Sequence, residues 1–246
     1  MPFSAQLFSR VVNIIIAINV VMFFIDQQVK GGLDSLLALH FTLNNKYEIW
    51  QYVTHMFMHG SLAHLAFNMF ALYLFGSALE NTLGKVRFLI FYLVSGIGAA
   101  IIYNVVNSYQ FNSVFTLLTD SGLLESQVMQ MIEAMSYPAS VLNEDQASTL
   151  FNTFYAPMVG ASGAIYGVLV AYALFFPNHK LMLFFLPFPV AAKYFVPALI
   201  AIDLFSGVTN FSLFGGGVAH FAHIGGAIVG FLLLVIWRKE FTRQLA

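Results

Sequence analysis

An all-α membrane protein with six spans is the fold class this sequence predicts, on three observations. Apolar residues make up 59% of the 246 residues and charged residues only 9%, against roughly 25% charged in a soluble domain. The mean hydropathy is +0.80. The apolar residues gather in six segments, about 10 to 27, 61 to 79, 86 to 107, 158 to 176, 190 to 206 and 218 to 237, each close to the ~20 residues an α-helix needs to cross a bilayer. One bundle covering 1–246 accommodates them better than two domains.

Each segment has its own local logic. Arg10 precedes the apolar run Val11 to Ile25; no small-residue cleavage site follows, so the run is read as a first span, not a signal peptide. The second segment carries His64 and Asn68, and the third runs from Arg87 toward Asn104. Before the fifth, the apolar stretch Leu181 to Val190 contains Pro187 and Pro189, which make it a poor helix, and it is read as a lead-in. An even number of spans puts both termini on one side. Arg10, Lys85, Arg87, Lys180, Lys193, Arg238, Lys239 and Arg243 fall on that side, against Lys30 and Lys46 on the other. The positive-inside bias makes the termini cytoplasmic, and the expected location is the bacterial cytoplasmic membrane.

Between the third and fourth spans, about 108 to 157, the chain is acidic: Asp120, Glu125, Glu133, Glu144 and Asp145 occur with no Lys or Arg. Leu124, Val128, Met131, Ile132 and Met135 recur at helical spacing, and Asn143 is placed to cap a second helix bearing Ala147, Leu150, Phe151 and Phe154. Two short amphipathic helices follow, lying on the bilayer surface or packed on the outside of the bundle. The net charge of -1 and the absence of a basic patch leave no case for nucleic acid. With no Cys there is no thiol catalysis, disulfide or Cys-ligated metal.

The chemistry lies in polar residues inside apolar segments. Ionisable or polar side chains at membrane depth are costly and mark functional sites. Ser162 opens the fourth span in Gly160-Ala161-Ser162-Gly163, and His223 opens the sixth. A serine hydroxyl needs a neighbouring base to become a nucleophile. Gly163, Gly167 and Ala171 form one small-residue stripe, and Ala222, Gly226 and Gly230 another. Packed together as GxxxG faces pack, they bring Ser162 to His223. His64 and Asn68 share a helix face, and with the Ser162 N–H they supply donors for an oxyanion. Asp203 lies in the middle of the fifth span, but its spacing does not tie it to His223, and it is left out of the expected site.

These residues resemble the rhomboid intramembrane serine proteases. The run His55-Met56-Phe57-Met58-His59-Gly60-Ser61-Leu62-Ala63-His64-Leu65-Ala66-Phe67-Asn68 is similar to the family's His-rich segment, in which the later His and the Asn belong to the oxyanion site. Gly160-Ala161-Ser162-Gly163 is similar to its GxSG motif, Tyr166 to the aromatic that stacks on the catalytic His, and Ala222-His223-Ile224-Gly225-Gly226 with Gly230 to its histidine motif. The resemblance implies a Ser162/His223 dyad in a six-helix core, cleavage of transmembrane segments of other membrane proteins near the outer face, and membrane lipid as surroundings. No cofactor and no metal are implied. It assigns His55 and His59 to supporting the loop above the second span. The fifth span and the loop Ser206 to Gly217, with its Gly215-Gly216-Gly217 run, become a gate and cap. His220 competes with His223 as base, but only His223 has the family's following small residues. Two departures stand out: the family's Trp-Arg pair is missing between Lys30 and Tyr52, and the segment after span three exceeds the minimal core. The rival readings are an inactive rhomboid-like binder of membrane proteins, a transporter, and a metal enzyme using His55, His59 and His64.

Overall fold

The computed structural model describes residues 10–30, 32–181, 188–209 and 219–244. The glycine run Gly215 to Gly217 and Pro187, singled out above, lie outside the described residues. Helix α1 is Val11–Gln28, followed by the short α2 (Asp34–Leu37) and α3 (Gln51–Thr54), then α4 (Leu62–Leu83) and α5 (Lys85–Asp120). Two outer helices come next, α6 (Glu125–Glu133) and α7 (Glu144–Tyr155), then α8 (Ser162–Phe175), α9 (Ala192–Thr209) and α10 (His220–Gln244). Strands β1 (Lys180–Leu181) and β2 (Val190–Ala191) pair antiparallel ahead of α9, so the ends of the proline-bearing lead-in are extended, not helical.

Among the described residues five helices, α1, α4, α5, α9 and α10, are long and apolar enough to cross a membrane, and α8 is a shorter apolar helix. Their outward faces stay apolar: Phe67 is 76% exposed, Val86 71% and Val208 69%. Such a surface suits lipid as solvent, and the chain is an integral multi-pass membrane protein. The inner face of the helices meets in one core around Met56, Leu72, Leu79, Phe88, Phe91 and Tyr92. Helix α1 has its first turn capped from afar, because Glu80 on α4 accepts the N–H groups of Val11 and Val12 at 3.1 and 3.0 Å. An anion there offsets both the orphan donors and the positive end of the helix dipole. Helix α4 contains one π turn, Leu72–Gly76.

Helix α5 corrects the sequence reading of the third segment. It does not end near Asn107 but continues to Asp120, a length of about 54 Å, against a hydrocarbon core of roughly 30 Å. Its far end is the post on which α6 and α7 pack, through Phe111, Val114, Leu118, Val128, Ile132, Leu142, Leu150 and Phe154, with Phe41 of the first loop completing the cluster. Both helices pack against the protein, one of the two arrangements left open for them. The buried stripe of α6 is narrower than its spacing implied: Val128 and Ile132 are fully buried, whereas Leu124 and Met135 are exposed. Asn143 caps α7 as expected, in a reciprocal box with Gln146 at 2.9 and 3.0 Å.

The first loop is tied together without the Trp-Arg pair. Gln51 is fully buried. Its Oε1 accepts from the N–H of His40 and Glu48, and its Nε2 donates to the carbonyls of Lys46 and Leu36. Trp50 and Thr54 add bonds to the carbonyls of Leu36 and Leu37. One buried amide satisfying four backbone groups fixes the loop from inside.

Candidate functional site

Helices α8 and α10 meet through their small residues. A Cβ placed on Gly226 would run into the Gly163 carbonyl, and one on Gly230 would lie 2.7 Å from the Gly167 Cα. Helix α5 backs the pair: a Cβ on Gly163 would lie 2.6 Å from Ala99 Cβ, and one on Gly225 would lie 2.8 Å from Ile102 Cβ. No side chain fits in these seams, so backbones approach as glycine stripes allow. Gly163 thus serves this packing.

That approach sets Ser162, the first residue of α8, against His223, in the first turn of α10. Ser162 Oγ lies 2.8 Å from His223 Nε2. One turn along α8, the Tyr166 ring stacks on the His223 imidazole with centroids 4.2 Å apart and planes 9° from parallel. The stretch leading to Ser162 is held on the other side. Met158 and Leu39 exchange backbone bonds of 2.8 and 3.0 Å, and the Gly160 N–H donates to the His55 carbonyl at 2.9 Å. Gly160 has φ +118°, a left-handed value suited to glycine. A Cβ there would sit 2.8 Å from His64 Nε2 and 3.5 Å from Asn68 Nδ2. His64 and Asn68 therefore close over the turn that delivers Ser162, and Gly160 is needed for both its conformation and their room.

His64 is placed by the start of α4, where the Ser61 hydroxyl accepts its N–H at 3.1 Å. Asn68 follows one turn later and bonds His59 Nε2 at 3.0 Å, and the His59 and His64 rings meet edge to face at 5.0 Å. His55 is anchored through Nδ1 to the Gln51 carbonyl at 2.8 Å. Burial pushes the His55 imidazole down to about 4. Burial, and then neighbouring His64, push His59 down to about 3. Both rings are neutral at pH 7 and belong to the scaffold under the loop. His55, His59 and His64 do not gather as a ligand set: among the described residues the one group of three with ligand atoms within 4.8 Å is Asp203, His220 and His223.

That group exposes what the sequence reading missed. Asp203, left out of the expected site, reaches His223 Nδ1 with Oδ1 at 3.2 Å. The same oxygen is 2.5 Å from His220 Nδ1, and Tyr166 donates its hydroxyl to Oδ2. Of the two histidines, His223 is the one on Ser162. In chemical terms the cluster joins a hydroxyl to an imidazole that can take its proton, beside an amide and a second imidazole able to donate to an oxygen.

A Rhomboid domain model matches residues 46–240, a stretch that includes every one of these side chains. The chain belongs to the rhomboid family. Rhomboid protease AarA of Providencia stuartii is 30% identical over 201 residues, covering 76% of this chain and 56% of that protein. Presenilin-associated rhomboid-like protein, mitochondrial, of Homo sapiens is 29% identical over 239 residues, covering 96% of this chain and 49% of that one. The Danio rerio protein named Presenilin-associated rhomboid-like protein A, mitochondrial, is 28% identical over 217 residues. This rhomboid chain spans about half the length of the curated relatives it matches.

Proposed function

We propose that this chain is an intramembrane serine endopeptidase that hydrolyses a peptide bond in or near the transmembrane segments of other membrane proteins. The observation that carries the reading is the 2.8 Å contact between Ser162 Oγ and His223 Nε2. Ser162 attacks the scissile carbonyl while His223 takes its proton, then returns it to the leaving amine; a water that gives its proton to His223 next attacks the acyl-serine carbonyl, and the proton returns to Ser162 Oγ as the acid leaves. His64, Asn68 and the Ser162 N–H donate to the oxyanion. Tyr166 holds the imidazole plane, and Gly160 and Gly163 give the turn and the packing that place Ser162. No cofactor, metal or nucleic acid enters this scheme.

On this reading 1–246 is one domain of six spans, with α8 as the fourth. Its 14 residues rise only about 21 Å, which suits a span that begins below the outer surface, with Ser162 at that end. The acidic stretch of about 108–157 is an external insertion, and the termini are cytoplasmic in a bacterial inner membrane, as the Lys and Arg distribution favours. Substrates unwind at the cleaved bond, since a helical backbone withholds its carbonyls.

The test exposes the detergent-purified chain to a fluorescent fluorophosphonate and, in parallel, to a model transmembrane substrate. The wild type labels at Ser162 and cleaves. Ser162→Ala loses both, and His223→Ala loses at least about 10⁴-fold in rate, since nucleophile and base act as a unit. A Ser162→Ala variant that still cleaves at the wild-type rate would falsify the assignment. A folded wild type that neither labels nor cleaves turns it toward an inactive binder of membrane segments.

A further inference from the structure

Asp203 is a carboxylate in the middle of a span, 4% exposed, with three hydrogen-bonding partners on two other helices. A charge at that depth persists only where it is paired, and its partners indicate its use. Oδ1 faces His223 Nδ1 at 3.2 Å, while the opposite nitrogen of the same ring faces Ser162 at 2.8 Å. Oδ2 takes the hydroxyl of Tyr166, whose ring covers the His223 face. The carboxylate thus holds the imidazole by its edge and also holds the ring stacked on it.

We infer that Asp203 is a positioning residue for His223, fixing the tautomer that carries its proton on Nδ1 so that the Nε2 lone pair faces the Ser162 hydroxyl. This rests on the proposed peptidase reading. A carboxylate accepts only, so Nδ1–H toward Oδ1 is the favourable arrangement, and the reverse tautomer would set two lone pairs against each other. When Ser162 Oγ bonds to the substrate carbonyl carbon, its proton moves to Nε2 and the ring becomes an imidazolium facing an unprotonated Asp203. As the C–N bond breaks, that proton leaves on the amine. Asp203 stays ionised throughout, as in other relays of this composition. The groups facing the imidazole are then Asp203 on α9, Ser162 and Tyr166 on α8, and His220 on its own helix, with His64 on α4 nearby.

The competing account is structural: Asp203 bonds His220 at 2.5 Å and merely joins α9 to α10. The two accounts separate in a comparison of Asp203→Asn with His220→Gln in the full chain, each checked for its melting temperature. A positioning role gives Asp203→Asn a kcat lower by about 10²-fold or more, with KM little changed, and displaces the acid limb of the kcat/KM profile, because the base loses a neighbouring negative charge. His220→Gln falls at least tenfold less. Equal losses in the two variants with unmoved pH profiles overturn the inference, as does an Asp203→Asn enzyme with wild-type kcat. Should Asp203→Asn fail to fold, the ¹⁵N spectrum of histidine-labelled wild type, with the His223 signals identified by their absence in His223→Ala, decides instead. Protonated Nδ1 supports the assignment, and protonated Nε2 defeats it. A wild type without any peptidase activity removes the underlying reading as well. An active wild type with an indifferent Asp203 removes this inference alone.

Discussion

Helix α8 meets α10 backbone against backbone, whereas α9 touches the same pair through side chains. Gly163, Gly167, Gly226 and Gly230 leave no room in the first seam. In the second, a Cβ placed on Gly207 of α9 would lie 3.1 to 3.3 Å from the Phe221 ring edge and His220 Cβ, close but not overlapping. Only 22% of the membrane-length stretch of α9 is buried inside the protein, against 44% in α5, and Pro197 interrupts its backbone bonding. The nucleophile and base candidates are therefore fixed relative to each other by the most crowded glycine contact among the described residues. The carboxylate that addresses the base arrives on one of the least enclosed spans.

Paired substitutions across the two seams put this contrast at risk. Gly226→Val places branched carbons on the Gly163 carbonyl, and the expected result is a loss of about 3 kcal/mol of stability or failure to fold, with peptidase activity gone because Ser162 and His223 separate. A melting curve with a substrate assay reads both, and wild-type values for Gly226→Val would mean that the seam is looser than the contact implies. Acid acts next in size, on the loop that holds Gly160. The folded pKa of His55, about 4, lies below its unfolded value of 6.5, so its stabilising contribution is present above pH 6.5. It is lost as pH falls toward 4, because the unfolded chain binds the proton first. His59 acts in the same direction, down to about 3. A melting temperature that falls steadily between pH 6.5 and 4 is expected, with a flatter profile for His55→Gln. The smallest effect belongs to Gly207→Ala. The Phe221 ring can give by the few tenths of an ångström needed, so stability changes by less than about 1 kcal/mol. A Gly207→Ala loss as large as that of Gly226→Val would erase the difference between the seams.

The pairing of Ser162 with His223 was legible because both lie at the same end of small-residue stripes, and such stripes state which faces touch. Asp203 was not legible. In lipid the outward face of a helix is as apolar as its inward face, so periodicity does not reveal how α9 is rotated. The end of α5 was misplaced for a related reason. Asn104, Asn107, Ser108 and Gln110 mark where the chain becomes polar, but polarity signals departure from lipid, not the end of a helix. Gln51 went unnoticed because one glutamine in a loop carries no pattern, although buried it satisfies four backbone groups.

The length of α5 has a mechanical consequence. The middle of this unbroken rod forms the wall behind Gly163 and Gly225, through Ala99 and Ile102, and its last third carries Phe111, Val114 and Leu118 into the cluster that holds α6 and α7. A helix is stiff along its axis, so the rod works as a lever with the Ser162 neighbourhood near its fulcrum. A tilt imposed at the α6–α7 end of such a rod would be felt at the glycine seam, where the packing has little slack to absorb it.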